Sequence, residues 1–174
     1  MKKILLLVIL CALYGCNTLP ERKNSDDAVA VLKIKRTFLD SDYNSIPKPG
    51  TYIPTTGYSI TIDENPILYH IQEESTLLVL KGLKTGSHAI TSVYRRYIGP
   101  VTGQTAVSAV FIPFELKQGC ITILNKELLI TIVTEGSTRG FVQHDFIVLA
   151  PEARQKLLDT LSTSPTFKTW ELAE

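Results

Sequence analysis

The stretch Tyr58-Ser59-Ile60-Thr61-Ile62-Asp63-Glu64-Asn65-Pro66-Ile67-Leu68-Tyr69-His70-Ile71 decides how the chain folds. Tyr58, Ile60 and Ile62 alternate with Ser59 and Thr61, the two-residue period of a half-buried strand. Asp63–Pro66 is a run of turn formers, and Ile67–Ile71 alternates again. The β-branched and aromatic residues suit a pleated, half-buried surface. The unit reads as strand, turn, strand.

The same pattern extends in both directions. Towards the N-terminus, Ala28–Lys35 reads as a strand and Asp40–Gly50 as a loop. Towards the C-terminus, Leu77–Leu80 is a continuous apolar run, which fits a strand covered on both faces. Ser87–Tyr97, Ala106–Phe114, Cys120–Leu124, Leu128–Val133 and Phe141–Leu149 follow, each bounded by Gly, Pro, Asn or Lys-rich breaks such as Lys117-Gln118-Gly119. In Ala106–Phe114 the period places Val110, Ile112 and Phe114 on one side. About eight strands at a spacing of roughly ten residues predict a mainly β domain, an antiparallel sandwich or barrel. Pro151–Leu161 differs. Pro151 suits the first helical turn, Glu152 complements the positive end of a helix, and Leu157, Leu158 and Leu161 share one stripe. A short C-terminal helix is predicted there, with Phe167 and Trp170 pinning the tail to the sheet.

The chain opens Met1-Lys2-Lys3 and continues with an apolar run, Ile4–Gly15, of 12 residues. Two lysines, a short apolar run and a small residue are the layout of an export signal. As a helix the run would cover about 18 Å, short of a hydrocarbon core of about 30 Å. Leu13-Tyr14-Gly15-Cys16 resembles the lipobox of bacterial lipoproteins, with Leu, Gly and Cys at the expected places and Tyr14 where a smaller residue is usual. The resemblance implies cleavage between Gly15 and Cys16 and a diacylglyceryl group on the Cys16 sulfur. Two or three acyl chains anchor a protein stably where one does not. Residues 1–15 are then a signal peptide, 16–27 a lipidated N-terminus and flexible tether, and 28–174 the domain. The eleven tether residues 17–27 would span at most about 40 Å. Asn17 rather than Asp after the lipidated cysteine favours the outer membrane in enterobacteria-like sorting.

Gly82–Ile90 (GLKTGSHAI) and Phe114–Asn125 (FELKQGCITILN) resemble the turn-plus-strand and glycine-bearing strand of small bacterial lipoproteins with a transthyretin-like or carboxypeptidase-regulatory-like domain. That resemblance implies an Ig-like or transthyretin-like antiparallel β-sandwich with a short C-terminal α-helix. It carries over no catalytic residues.

Composition narrows the partners. The chain has 18 basic and 17 acidic residues; losing Lys2 and Lys3 with the leader takes its formal charge from +1 to −1. Such a chain has no electrostatic grip on nucleic acid. Of three cysteines, Cys11 would leave with the leader and Cys16 carry lipid, so Cys120 stands alone with no disulfide partner. His70, His88 and His144 fall on three separate strands without ligand spacing, so no metal site is expected. No P-loop, GxGxxG or GxSxG occurs, and no cofactor is expected. Asp26-Asp27 and Asp63-Glu64 are adjacent acids in turns, which solvate rather than flank a glycosidic bond.

Three function classes remain. The first is a non-enzymatic envelope module held at a membrane by its lipid, with Tyr94-Arg95-Arg96-Tyr97 as a contact for an envelope protein, anionic headgroups or peptidoglycan; Tyr and Arg are enriched at recognition hot spots. The second is an envelope hydrolase in which Cys120 and His144 pair as nucleophile and base. The third is a small-ligand carrier with a pocket between the sheets. The first asks least of the residues.

Overall fold

The structure, a computed structural model, describes residues 19–24, 26–48, 56–97, 105–135 and 139–173. It is mainly β, with two sheets and one short helix near the C-terminus, consistent with a β-sandwich. The strands are β1 Val29–Leu39, β2 Ser45–Ile46, β3 Thr56–Ile62, β4 Tyr69–Ile71, β5 Leu77–Leu80, β6 Gly86–Tyr97, β7 Thr105–Leu116, β8 Cys120–Glu135, β9 Arg139–Val148 and β10 Glu171–Leu172. The helix α1 spans Pro151–Ser162, and a 3₁₀ turn covers Phe167–Thr169.

One sheet has the order β4-β3-β6-β7 and is antiparallel throughout. Tyr58–Ile60 pairs with Tyr69–Ile71, so the strand–turn–strand unit read from the sequence closes as a hairpin. The other sheet is built on β1 and β8, which run parallel from Val29↔Ile121 to Leu39↔Val133. Four strands flank that pair: β5 and β2 both pair with β1, and β10 and the ten-residue β9 with β8. The parallel pairings of β8, with β1 and with β10, are the departure from the antiparallel pattern expected. The β1 and β8 partners lie some ninety residues apart, with the whole other sheet between them in sequence, and no local signal specifies such a pairing.

Between Val31↔Ile123 and Lys33↔Glu127 the register shifts, β8 carrying two extra residues. An even insertion keeps the alternation in phase, because side chains point to a given face every second residue. Leu124, Leu128, Ile130 and Ile132 therefore all enter the core between the sheets, with Ala30, Leu32 and Ile34 of β1 and Tyr58, Ile60 and Ile62 of β3. Cys120–Leu124 and Leu128–Val133, read as two strands, are one long strand with a bulge.

The C-terminal helix forms a third layer. Leu157 and Leu161 of α1, with Trp170, pack on Val29, Val31, Leu77, Val79, Ile121 and Ile123, on the outer face of the β1–β8 sheet. Leu77–Leu80 is accordingly covered on both sides: Leu78 and Leu80 face the other sheet, Leu77 and Val79 the helix. Among the described residues no helix is long and apolar enough to cross a membrane.

The described residues of the segment read as a flexible tether, 19–24 and 26–27, are docked. Leu19 is 4% exposed, inside the cluster beneath α1. Trp170 Nε1 donates to the Pro20 carbonyl at 2.9 Å and Thr166 Oγ1 to the Leu19 carbonyl at 2.9 Å. Asp27 accepts from the amides of Lys23 and Asn24, and its own carbonyl accepts from Gly119 N. Composition marks this segment as polar. Its one leucine and one proline, set against the only tryptophan, hold one end, and the bonds from Gly119 and Gln118 to Asp27 and Asp26 hold the other.

Candidate functional site

A groove of about 410 Å³ opens between the two sheets. Ile34, Arg36 and Phe38 come from alternate positions of β1, Ile130 and Ile132 from β8, Val142 from β9, and Tyr58 and Ile71 from β3 and β4. The floor is thus aliphatic and aromatic. Its rim carries charge: Arg36 donates from Nη1 to the Ser75 carbonyl at 2.6 Å and from Nη2 to the Gln72 carbonyl at 2.9 Å. Lys48 pairs with Glu74 and lies 3.9 Å from Glu73. The volume lies in the range of small-molecule sites, and an apolar lining with a few placed polar groups is their usual make-up.

Beside the groove wall, polar groups meet between the sheets. Arg95, opposite Tyr58 in the β3–β6 ladder, crosses to β9 and donates from Nη1 to the Val142 carbonyl at 2.5 Å. The His144 ring lies edge-on to Tyr58, with centroids 5.8 Å apart. Its Nδ1 is buried with no hydrogen-bond partner among the described residues. Burial, with the positive charge of Arg95 added, pushes the His144 pKa below that of a free imidazole; Asp145 opposes this in part. The ring is held neutral, which suits an inter-sheet position beside a guanidinium.

Two further polar pairs sit away from the groove. Asp63 Oδ1 accepts from Ala89 N at 2.7 Å while Oδ2 meets His88 Nδ1 in a short contact. His88 Nε2 lies 2.7 Å from the Lys84 carbonyl, and its ring stacks on Phe114. Ser59 Oγ lies 2.8 Å from His70 Nδ1. That pair has the spacing of a hydroxyl and a base, yet Ser59 sits mid-strand, where neighbouring amides are committed to the ladder rather than to an oxyanion.

The residues singled out in sequence fare differently. Gly15 and Cys16 lie outside the described residues. Of Tyr94-Arg95-Arg96-Tyr97, the described side chains divide between the two faces of β6. Arg95 turns inward to β9 and Arg96 is exposed, while the side chain of Tyr97 lies outside the described residues. Strand alternation divides neighbours between faces, and here one face is the interior. Cys120 and His144 are not brought together. Cys120 begins β8, 8% exposed, its thiol donating to the Gln118 carbonyl at 3.4 Å. His144 pairs with Ile130, ten positions along the same strand, or about 30 Å at the rise of a strand. The dyad is not formed, and the envelope hydrolase loses its nucleophile and base. His70, His88 and His144 lie on β4, β6 and β9, and among the described residues no three His, Cys, Asp or Glu gather as a metal site.

The groove itself had no sequence motif. Its lining is contributed by five strands and two connections, and among these strands the sequence showed alternation only in Tyr58–Ile62 and Ile67–Ile71. No family model, curated protein or solved structure matches this chain.

Proposed function

We propose that this chain is a lipid-anchored protein of the bacterial cell envelope, most simply of the outer membrane, that acts as a non-enzymatic binding module. Leu13-Tyr14-Gly15-Cys16 supports the anchor. The groove between the sheets carries the binding role: it has the volume for a small molecule, an apolar floor, and charges confined to its rim. A ligand with an apolar body and a polar end fits that division. The carrier and the module are then one reading, in which the partner enters the sandwich rather than lying along the Tyr94–Tyr97 strand.

The anchor is tested by growth with radiolabelled palmitate, where the product takes up label and Cys16→Ala does not. The groove is tested with anilinonaphthalene sulfonate, an amphipathic fluorescent probe. Thr76 lines the groove and is exposed, so Thr76→Phe narrows the mouth without disturbing the core. Saturable fluorescence enhancement by the native protein, weakened at least tenfold in Thr76→Phe with an unchanged melting temperature, is the expected result. An unenhanced native protein, or equal binding by the variant, would remove the groove from the proposal.

A further inference from the structure

We infer that the domain rides directly on the bilayer, with the 3₁₀ turn and the segment from Leu19 to Asn24 at the level of the lipid headgroups and the groove at the far end of the strands. The inference rests on the lipid-anchor reading above, and it names the surface that meets the membrane.

The docked N-terminal segment is the decisive observation. Leu19 is fixed by burial beneath α1 and by bonds from Thr166 to its carbonyl and from Trp170 to the carbonyl of Pro20. Only Asn17 and Thr18 separate it from Cys16. Three Cα–Cα steps reach at most about 11 Å. A lipid on the Cys16 sulfur lies within the bilayer, so Leu19 cannot stand farther than that from the interface. Of the leash that composition assigned to residues 17–27, the described residues 19–24 and 26–27 are part of the domain.

The surroundings of Leu19 therefore face lipid headgroups. Exposed Glu21, Lys23, Lys168 and Glu171 are there, of both signs, which suits zwitterionic as well as anionic headgroups. Leu172, 45% exposed, is the large apolar side chain that protrudes among them; one leucine is too little to embed the domain, which rests on the surface with its acyl chains inserted. Trp170, bonded to Pro20, marks this end. The groove lies elsewhere: Ile121 belongs to the cluster around Leu19, whereas Ile132 lines the groove. Eleven positions of β8 separate them, about 30 Å after allowing for the bulge. A ligand reaches the groove from the aqueous side.

Trp170 is the only tryptophan, so its fluorescence reports this end without labelling. The full lipidated chain is reconstituted in vesicles of phosphatidylethanolamine and phosphatidylglycerol containing a phospholipid spin-labelled on its headgroup. Expected is strong quenching of Trp170 in vesicle-bound protein, relieved by a 20-residue Gly/Ser spacer inserted between Thr18 and Leu19. Such a spacer adds about 25 Å of mean reach and leaves the docked segment intact. Bound protein that is unquenched with and without the spacer would overturn the inference and leave the anchor standing. Equal quenching in both would place the domain on the bilayer by its own affinity, and overturns the short leash. Protein that neither floats with vesicles nor takes up palmitate would overturn the anchor itself, and this inference with it.

Discussion

Asp63 is a non-glycine residue at positive φ, +51°, at the head of the turn Asp63–Pro66, followed by Glu64 at +58°. Backbone of that kind costs of order 1 kcal/mol for a residue with a Cβ. What offsets it is the pair of bonds Asp63 makes to Ala89 N and His88. Burial would raise the Asp63 carboxyl, but the hydrogen bonds from His88 and Ala89 outweigh it and hold the pKa below the ordinary value. Burial would likewise lower His88, but the bonds to Asp63 and to the Lys84 carbonyl, with the charge of Asp63, raise it. The signs fix a window. The His88 contribution is complete below the ordinary imidazole value and is lost as pH rises through its raised folded value. The Asp63 contribution is complete above the ordinary carboxylate value and is lost as pH falls through its lowered one. The pair is strongest between about pH 4 and 6.5. Asp63→Asn should cost about 1 kcal/mol at pH 5.5, a figure kept low because the carboxylate is partly solvated, and less at pH 9. Urea unfolding of both proteins at the two pH values checks this; an equal loss at both would mean that no charge is involved.

Between elements, the two sheets are joined by more than apolar contact. Arg95 straps β6 to β9 through the Val142 carbonyl, and its charge helps keep His144 neutral. A His held below its ordinary pKa contributes stability above about pH 6.5 that is lost as pH falls through the lowered value, the opposite sense to His88. Arg95→Met should keep most of the packing, lose about 1 kcal/mol with the hydrogen bond, and move the His144 titration upward. Proton NMR of the imidazole C–H signals separates it from His70 and His88, and an unmoved His144 would mean that Arg95 does not set its charge. None of this strap was visible in the sequence, where Arg95 looked like half of a surface motif. What the sequence did carry was the longer strands, the hairpin at Asp63–Pro66 and the two-sided burial of Leu77–Leu80, because those follow from local period and turn chemistry; the two-residue β2, inside the stretch read as a loop, and β10 were too short to show a period. It did not carry the β1–β8 pairing, the bulge in β8 or the groove. Each depends on which distant strands lie side by side, and that is decided by the whole core at once.

For the molecule as a whole, three layers follow from the two apolar clusters. One lies between the sheets; the other lies between the β1–β8 sheet and α1 with its tail. The second cannot be dispensed with. Among the described residues Cys120 is the free cysteine, so no cross-link compensates for a weakened core. Removing residues 151–174 would uncover Val29, Val31, Leu77, Val79, Ile121 and Ile123, six adjoining aliphatic side chains on one face. Burying a Val or Ile side chain contributes about 1.5–3 kcal/mol, and marginal stabilities are about 5–15 kcal/mol in total. The truncated chain should therefore elute as aggregate rather than monomer, and any monomer recovered should melt well below the full protein. The same deletion strips Trp170 and Thr166 from Leu19 and Pro20, so residues 19–24 lose their dock and become the flexible tether their composition describes. Protease cleavage within that segment should then be fast in the truncated protein and slow in the full one. A monomeric, unchanged-melting truncation would mean that the two sheets fold as a sandwich without their third layer, and that the N-terminal segment is held by something other than the tail.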